Sequence, residues 1–303
     1  RESAYHRLGR SVAARTADPR RSSAPQGGLM CCFSRPVKQV SKTQIFVRDT
    51  GTPQQILAYS MSVRLIEDAA MVLPLPVAVS DGGSPAEDAL SFIDLSGYAT
   101  LFDDLDRAFP QWLGMPKSSR SLGIQQQVSR SRLRVHSVGE FEASFVPSPR
   151  DFDRLEPRFR LQPQVFERLP QYRDHGFAVF KLKRPRHLWD RLRGRPQGYH
   201  PMAFAFPRRQ PDELFFPTLH IHDGQVHEQA DFDHTLYLQA PAQTDAPPGW
   251  DRSYGPLAQF IDAAKARTIC DASAPGFRRV INGSQPNQDQ RTRLSRTSAS
   301  GPT

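Results

Sequence analysis

Short stretches of β-forming residues, bounded by glycine and proline, constrain the fold of this chain more than any other feature. The stretches 43–47 and 56–63 flank a loop that contains Gly51 and Pro53, a pattern typical of a β-hairpin. Further strands are predicted over 133–146, 177–182, 202–206, 214–222 and 235–239. Strands outnumber helices and do not alternate with them regularly. The predicted fold class is therefore α+β, with mainly antiparallel sheets and a few amphipathic helices packed on them.

Three amphipathic helices are predicted beside these strands. Ser84, Pro85 and Glu87 form a capping box ahead of apolar residues at helical spacing, so the first helix is expected to begin at Ser84. The second helix is expected over 96–109 and the third over 256–267. Each has one apolar stripe, which we expect to lie on a sheet.

An apolar run over 71–77 contains Pro74 and Pro76. Proline has no backbone N–H, so it removes a donor from the hydrogen-bonding ladder of a sheet. We therefore expect this run to form an edge strand, or an extended segment packed flat on the core.

The net charge of +9 is concentrated at the two ends of the chain. Residues 1–29 contain six Arg and two acidic residues, and residues 276–303 contain five Arg and one acidic residue. The residues between them contain 29 basic and 28 acidic side chains, which is an ordinary balance. We therefore expect no specific nucleic-acid binding. No run approaches the ~18 apolar residues of a membrane-spanning helix, so no membrane association is expected.

Composition divides the chain into three parts. Residues 1–29 and 276–303 are rich in Arg, Ser and other polar residues, and they are expected to be disordered. Residues 30–275 are expected to fold as one domain, or as two halves that meet near 112–130. Because Met30 opens the first structured segment, 1–29 are interpreted either as a disordered part of the natural protein or as sequence upstream of its true start.

The chain has only three cysteines, Cys31, Cys32 and Cys270. They are too few for a disulfide scaffold or for a zinc site made of four cysteines. A reducing compartment is the simplest interpretation, and the predicted location is cytoplasmic.

Histidines clustered near residue 222 predict a candidate metal site. On a strand, His220 and His222 would project from the same face, and a turn after His222 would return His227 toward them. Three imidazoles in this arrangement can bind a divalent transition metal such as zinc. The alternative interpretation is structural, with the histidines on the polar face of a half-buried strand whose apolar residues fill the core.

Cys31 is the second candidate, as a catalytic nucleophile. If Met30 is the initiator and is removed, Cys31 carries a free α-amino group that can act as its general base. The segment 30–34 (Met-Cys-Cys-Phe-Ser), followed by a hairpin that contains Arg48 and Asp49, resembles the start of N-terminal-nucleophile enzymes of the choloylglycine hydrolase type. This resemblance implies a hydrolase in which an early Arg and Asp support an exposed Cys31. The alternative is an ordinary cysteine in the first strand.

A wider resemblance covers most of residues 30–240. The segments that carry it are 30–34, 70–76, 200–202 and 215–220. They are similar to a family of uncharacterised bacterial proteins that begin Met-Cys-Cys-Phe-Ser. The resemblance implies a bacterial origin and a start at Met30, and it implies no activity.

Together these observations predict a soluble, cytoplasmic binding or structural protein whose ligand the sequence does not identify. The first alternative is a metal-dependent hydrolase that uses His220, His222 and His227. The second alternative is an N-terminal-nucleophile hydrolase that uses Cys31 after processing.

Overall fold

A computed structural model describes residues 31–80, 83–110, 133–161, 163–183, 197–221, 226–241, 244–266 and 268–294. Its strands are β1 (Cys31–Phe33), β2 (Val37–Asp49), β3 (Gln54–Leu65), β4 (Ala69–Leu75), β5 (Ser91–Ile93), β6 (Val135–Val138), β7 (Phe141–Val146), β8 (Gly176–Leu182), β9 (Gln197–Gly198), β10 (Met202–Pro207), β11 (Glu213–Phe216), β12 (His220–Ile221), β13 (Gln229–Gln239), β14 (Asp251–Pro256), β15 (Pro275–Pro286) and β16 (Gln290–Arg293). Its α-helices are α1 (Leu101–Asp106), α2 (Pro163–Glu167) and α3 (Ala263–Ala266), and 3-10 turns cover Ser96–Tyr98, Pro149–Arg154, Pro157–Phe159, Pro170–Tyr172 and Leu257–Gln259. Strands make up 47% of the structure, which confirms the α+β class with mainly antiparallel sheets.

The strands form two large sheets and a small one. Sheet A has the strand order β12-β1-β4-β8-β7-β6. Sheet B has the order β14-β15-β13-β2-β3-β10-β5, with β9 paired to β3. β11 and β16 form the small sheet. Neighbouring strands are antiparallel except in two pairs, β1 with β12 and β2 with β13, which are parallel.

Apolar residues cover both faces of each large sheet. Between the sheets, Ile45 and Leu57 of sheet B and Met71 of sheet A belong to one buried cluster. A second cluster joins the other face of sheet B to α1 and to the chain around α3. A third joins the outer face of sheet A to the 3-10 turns between residues 149 and 172. Sheet strands therefore contribute few exposed apolar side chains.

The predicted helix at Ser84 is wrong. Residues 83–90 contain no helix, and the residues that follow them form β5, which pairs with β10. The capping box is a local signal, whereas Phe92 packs on the rings of Phe180 and Phe204 with centroid separations of 5.7 and 6.3 Å. This tertiary contact fixes Phe92 in a strand and overrides the local preference.

The other two predicted helices are present but shorter. α1 follows the 3-10 turn Ser96–Tyr98, and its buried residues Leu101, Phe102 and Leu105 confirm the apolar stripe. The third is reduced to the 3-10 turn Leu257–Gln259 and α3. Among the helices of the described ranges, none is long and apolar enough to cross a membrane.

The proline-containing run forms an interior strand and not an edge. β4 lies between β1 and β8 and is buried along its whole length. Ala70 exchanges hydrogen bonds with Ser34 on the β1 side, so by alternation the nitrogen of Pro74 also faces that side. β1 pairs with β4 only at Met71 and Val72. The missing N–H of Pro74 therefore falls beyond that pairing and removes no bond to β1.

The predicted disorder of 276–303 is wrong for residues 276–294. β15 lies between β13 and β14, and β16 pairs with β11. The segment looks unstructured in sequence because most of the β15 side chains are exposed, and Phe277 and Ile281 are its buried apolar residues. Its backbone nevertheless pairs with β13 over eleven residue pairs. The predicted disordered segment 1–29 and the predicted junction near 112–130 lie outside the described residues.

Side chains of β15 differ in burial, and this difference predicts the effects of two substitutions in the C-terminal segment. We expect Phe277→Ala to lower the free energy of unfolding by about 3–5 kcal/mol, because the ring is 1% exposed and its removal leaves a cavity. Val280→Ala, on the same strand but 36% exposed, is expected to cost less than about 1 kcal/mol. Urea unfolding measures both values. Equal and negligible effects would indicate that this segment does not belong to the fold.

Candidate functional site

The structure places two separately predicted residues next to each other. β1 and β12 are parallel neighbours at the edge of sheet A, and their register sets Cys31 opposite His220. The next pair in the register, Cys32 and Ile221, is buried in the cluster on the outer face of the sheet. No local pattern connects Cys31 with His220, because β1 and β12 are far apart in the chain.

The ring of His220 lies inside the protein. Its centroid is 4.2 Å from that of Phe232 and 5.1 Å from that of His234, and the two imidazoles are nearly parallel at 19°. His220 is 3% exposed, whereas His227 is exposed to solvent. His222 lies outside the described residues.

Asn287 connects the backbones of two predicted metal ligands. Its side-chain nitrogen donates to the carbonyl oxygens of His220 and His227, both at 2.9 Å, and its Oδ1 accepts the N–H of His220 at 2.7 Å. Asn287 therefore bridges β12 to the chain at His227. β12 belongs to sheet A and the next strand, β13, to sheet B, so these two strands do not pair with each other. Within the described ranges, no group of three His, Cys, Asp or Glu side chains is arranged to hold a metal ion. The zinc site of His220, His222 and His227 stays a prediction.

His234 is a buried histidine that the sequence interpretation did not include in a site. It stacks on His220 and is 1% exposed, and neither of its ring nitrogens has a hydrogen-bond partner among the described residues. Burial, with a smaller contribution from His220, lowers the pKa of His234 to about 2. The imidazole is therefore neutral at physiological pH, and it lies beside Thr43 of the parallel neighbour β2.

A second site, which we name the arginine pocket, is a cavity of about 200 Å³ beside the small sheet. Segments distant in sequence form its wall: the end of β4, the turn at 170–175, the loop after β10, β11 and β16. The polar and aromatic side chains on the wall include Gln171, His175, Arg209, Gln210, Phe215 and Arg291. None of them was predicted to be functional, because no local motif connects these segments.

Paired charges hold the arginines of the pocket. Arg208 donates to Asp49 at 3.1 Å, and each of the two side chains is only 3% exposed. Arg209 donates through Nη1 to Oδ2 of Asp174 at 2.5 Å. The guanidinium of Arg291 is bound by the carboxylate of Glu213 on β11. Because breaking a buried ion pair leaves an uncompensated charge, the Arg208 pair fixes the loop that carries Arg209.

The small sheet brings Arg291 to the pocket. Arg291 donates through Nη1 to Oε1 of Glu213 at 2.5 Å, and its Cζ lies 5.1 Å from the ring centroid of Phe215. Gln55 of β3 exchanges two hydrogen bonds with the backbone of Phe215, at 2.7 and 3.0 Å, and so anchors β11 to sheet B. Asp289 accepts the hydroxyl of Tyr172 and fixes the chain just before β16. These contacts hold one guanidinium over an aromatic ring at the pocket wall.

His175 is a buried histidine on the wall of the arginine pocket. It is 5% exposed, and its Nδ1 lies 3.1 Å from Oδ1 of Asp174. Its Nε2 has no hydrogen-bond partner in the part of the chain that the structure describes. Burial lowers the pKa of His175 to about 4, with further lowering by the positive charges of Arg209 and Arg291. The ring is therefore neutral at pH 7.

The lowered pKa of His175 predicts a pH dependence of stability. Its folded pKa of about 4 lies below the ~6.5 of an unfolded histidine, so the unfolded state binds more protons between these values. Stability contributed by this group is present above about pH 6.5 and is lost as pH falls to about 4. We expect His175→Gln to reduce the loss of unfolding free energy across this window by roughly 2–4 kcal/mol, measured by urea unfolding at each pH. A wild-type profile in His175→Gln would contradict the assignment.

Several solved structures are similar to this chain. No protein-family profile matches the chain. The crystal structure of baculovirus P35 is similar over 85% of this chain and 97% of P35, at 10% identity and a TM-score of 0.41. P35 in its complex with caspase-8 is similar over 84% of this chain and 96% of P35, at 8% identity and the same TM-score. A mutated baculovirus P35 after caspase cleavage matches at 11% identity with a TM-score of 0.39. At these TM-scores the likeness carries no argument about function.

Proposed function

We propose that this chain is a soluble, cytoplasmic binding protein and that the arginine pocket holds a small polar ligand. The observation that carries the proposal is the buried Nε2 of His175, which lacks a partner among the described residues although its ring lines the cavity. Leaving a buried polar atom unsatisfied costs about 1–3 kcal/mol, so such atoms are uncommon without a ligand, ion or water to pair with them.

The pocket also offers hydrogen-bond donors to a ligand. A guanidinium has five N–H donors, and the contact of Arg291 with Glu213 uses one of them. The side chains of Arg209 and Arg291 are 23% and 42% exposed, so their remaining donors can be reached from solvent. The volume of about 200 Å³ is below the roughly 300–1,000 Å³ of drug-sized ligand sites, which favours a small molecule.

Substitution of Arg291 tests this proposal. A thermal-shift screen of small polar molecules against the purified protein should yield a ligand, and calorimetry should then give its Kd. We expect Arg291→Gln to weaken binding about ten- to hundredfold, because a hydrogen bond from a charged donor is worth about 1.5–3 kcal/mol. Arg293→Gln is the matched control: it lies on the same strand, and its side chain is 69% exposed. A ligand whose Kd is the same in both variants binds elsewhere, and that outcome contradicts the proposal.

The register of β1 and β12 favours a second candidate function, the N-terminal-nucleophile hydrolase. In this proposal Cys31, freed by removal of the preceding residues, is the nucleophile, and its α-amino group is the general base. His220 lies opposite Cys31 in the register. Its position supports a role in orienting the terminal thiol.

Protein expressed with Cys31 as its first residue tests the second candidate. We expect hydrolysis of p-nitrophenyl acetate to fall at least tenfold in Cys31→Ala, because the thiolate is the attacking group. Cys32→Ala is the matched control, since Cys32 belongs to the buried cluster on the outer face of sheet A and should leave the rate near that of the parent. Equal rates in Cys31→Ala and its parent would exclude the thiol as nucleophile. N-terminal sequencing of each preparation confirms that residue 31 is first.

A further inference from the structure

The arginine pocket presents donors and an acceptor at different places. Nδ1 of His175 lies 3.1 Å from a carboxylate oxygen of Asp174, and an ionised carboxylate can only accept. The proton of the neutral ring therefore sits on Nδ1 and is donated to Asp174. Nε2 is then a bare lone pair, so the buried atom without a partner in the described structure is an acceptor.

The arginines supply the donors. Arg209 donates through Nη1 to the carboxylate of Asp174, through Nη2 to the backbone carbonyl oxygen of Asp174, and through Nε to the carbonyl oxygen of Val77 at 3.3 Å. Arg291 donates through Nη1 to Glu213 and lies over Phe215. Arg209 therefore retains one N–H on each Nη, whereas Arg291 retains enough N–H groups to bind a carboxylate in a planar, two-bonded geometry. A matching ligand therefore carries an acceptor anion and, close to it, a hydrogen-bond donor.

We propose that the ligand of the arginine pocket is a small hydroxy acid, whose carboxylate is bound by the guanidinium groups of Arg209 and Arg291 and whose hydroxyl donates to Nε2 of His175. This inference rests on the proposed binding function and specifies the chemistry of its ligand. A hydroxyl is neutral and donates one hydrogen, which is what a bare imidazole nitrogen accepts.

Other small acids match the pocket less well. An amino acid would place its ammonium beside Nε2, and burying a charged group there costs desolvation energy, which is also the largest cause of the lowered pKa of His175. A simple carboxylic acid leaves Nε2 unsatisfied, and a site built around a hydroxyl rejects the analogue that lacks it. The hydroxyl is therefore the feature that the pocket selects.

Access to Nε2 requires movement at the rim. The atom is covered by the surrounding protein. The side chain of Arg291, which also lines the pocket, is 42% exposed. Its guanidinium is held by an ion pair with the carboxylate of Glu213. An entering carboxylate competes for this guanidinium, so ligand binding itself is expected to shift Arg291 and open the path to His175.

Two matched sets of acids test the inference by calorimetry on the full chain. Lactate, propanoate and alanine share a skeleton and differ only in carrying a hydroxyl, a hydrogen or an ammonium, and malate, succinate and aspartate form the same series with a second carboxylate. We expect the hydroxy acid of at least one set to bind ten times more tightly than its two analogues. In His175→Phe, which keeps a flat ring but has no nitrogen, the hydroxy acid should lose this advantage and bind like the simple acid. Arg293→Gln, whose exposed side chain lies on the same strand as Arg291, should bind as the wild type does.

Each other outcome overturns a defined part of the argument. If propanoate or succinate binds as tightly as its hydroxy analogue, or an amino acid binds more tightly, the hydroxy-acid inference fails while the pocket remains a binding site. The same holds if inorganic phosphate binds in an Arg291-dependent way and no organic acid does. If neither phosphate nor any compound of the thermal-shift screen binds, the proposed binding function fails as well.

Discussion

The pairing of the C-terminal segment with β13 is the constraint on which the rest of the structure depends. Eleven consecutive residue pairs join β13 to β15 and extend sheet B beyond its parallel β2–β13 pair. The chain that leaves β15 then delivers Asn287 to the backbone of His220, Asp289 to Tyr172, and Arg291 to the arginine pocket. Both candidate sites are therefore assembled by a segment whose composition resembles a disordered tail.

Strands that alternate apolar and polar residues could be predicted from sequence. Strands whose side chains are mostly exposed, and which are held mainly by backbone hydrogen bonds, could not. The hairpin of β2 and β3 was recognisable because both strands carry apolar residues on buried faces and a Gly-Pro loop joins them. β15 has only a few buried apolar side chains, and its stability comes from hydrogen bonds to a partner about fifty residues earlier. The helix predicted from the capping box at Ser84 was wrong for the opposite reason. There the local signal was strong, but the packing of Phe92 on Phe180 favours a strand and outweighs it.

The candidate sites differ in how far a sequence could reveal them. Cys31 and His220 were recognisable as reactive residue types, yet their proximity arises from the parallel pairing of two very short strands. The arginine pocket had no recognisable signal, since its wall is drawn from well-separated segments and each of its arginines resembles an ordinary surface charge. A buried histidine whose ring nitrogen lacks a hydrogen-bond partner can be recognised only from the three-dimensional positions of its neighbours.

Charge balance within the pocket explains why net charge says little about binding by this protein. The guanidinium groups of Arg208, Arg209 and Arg291 are each bound by a carboxylate, so the pocket is close to neutral despite its arginines. A neutral pocket does not attract anions over long distances, and long-range attraction would in any case be screened within about 8–10 Å at physiological salt. Selectivity must then come from the direction of hydrogen bonds. The N–H donors of Arg209 and Arg291, and an acceptor fixed by the proton on Nδ1 of His175, provide that direction.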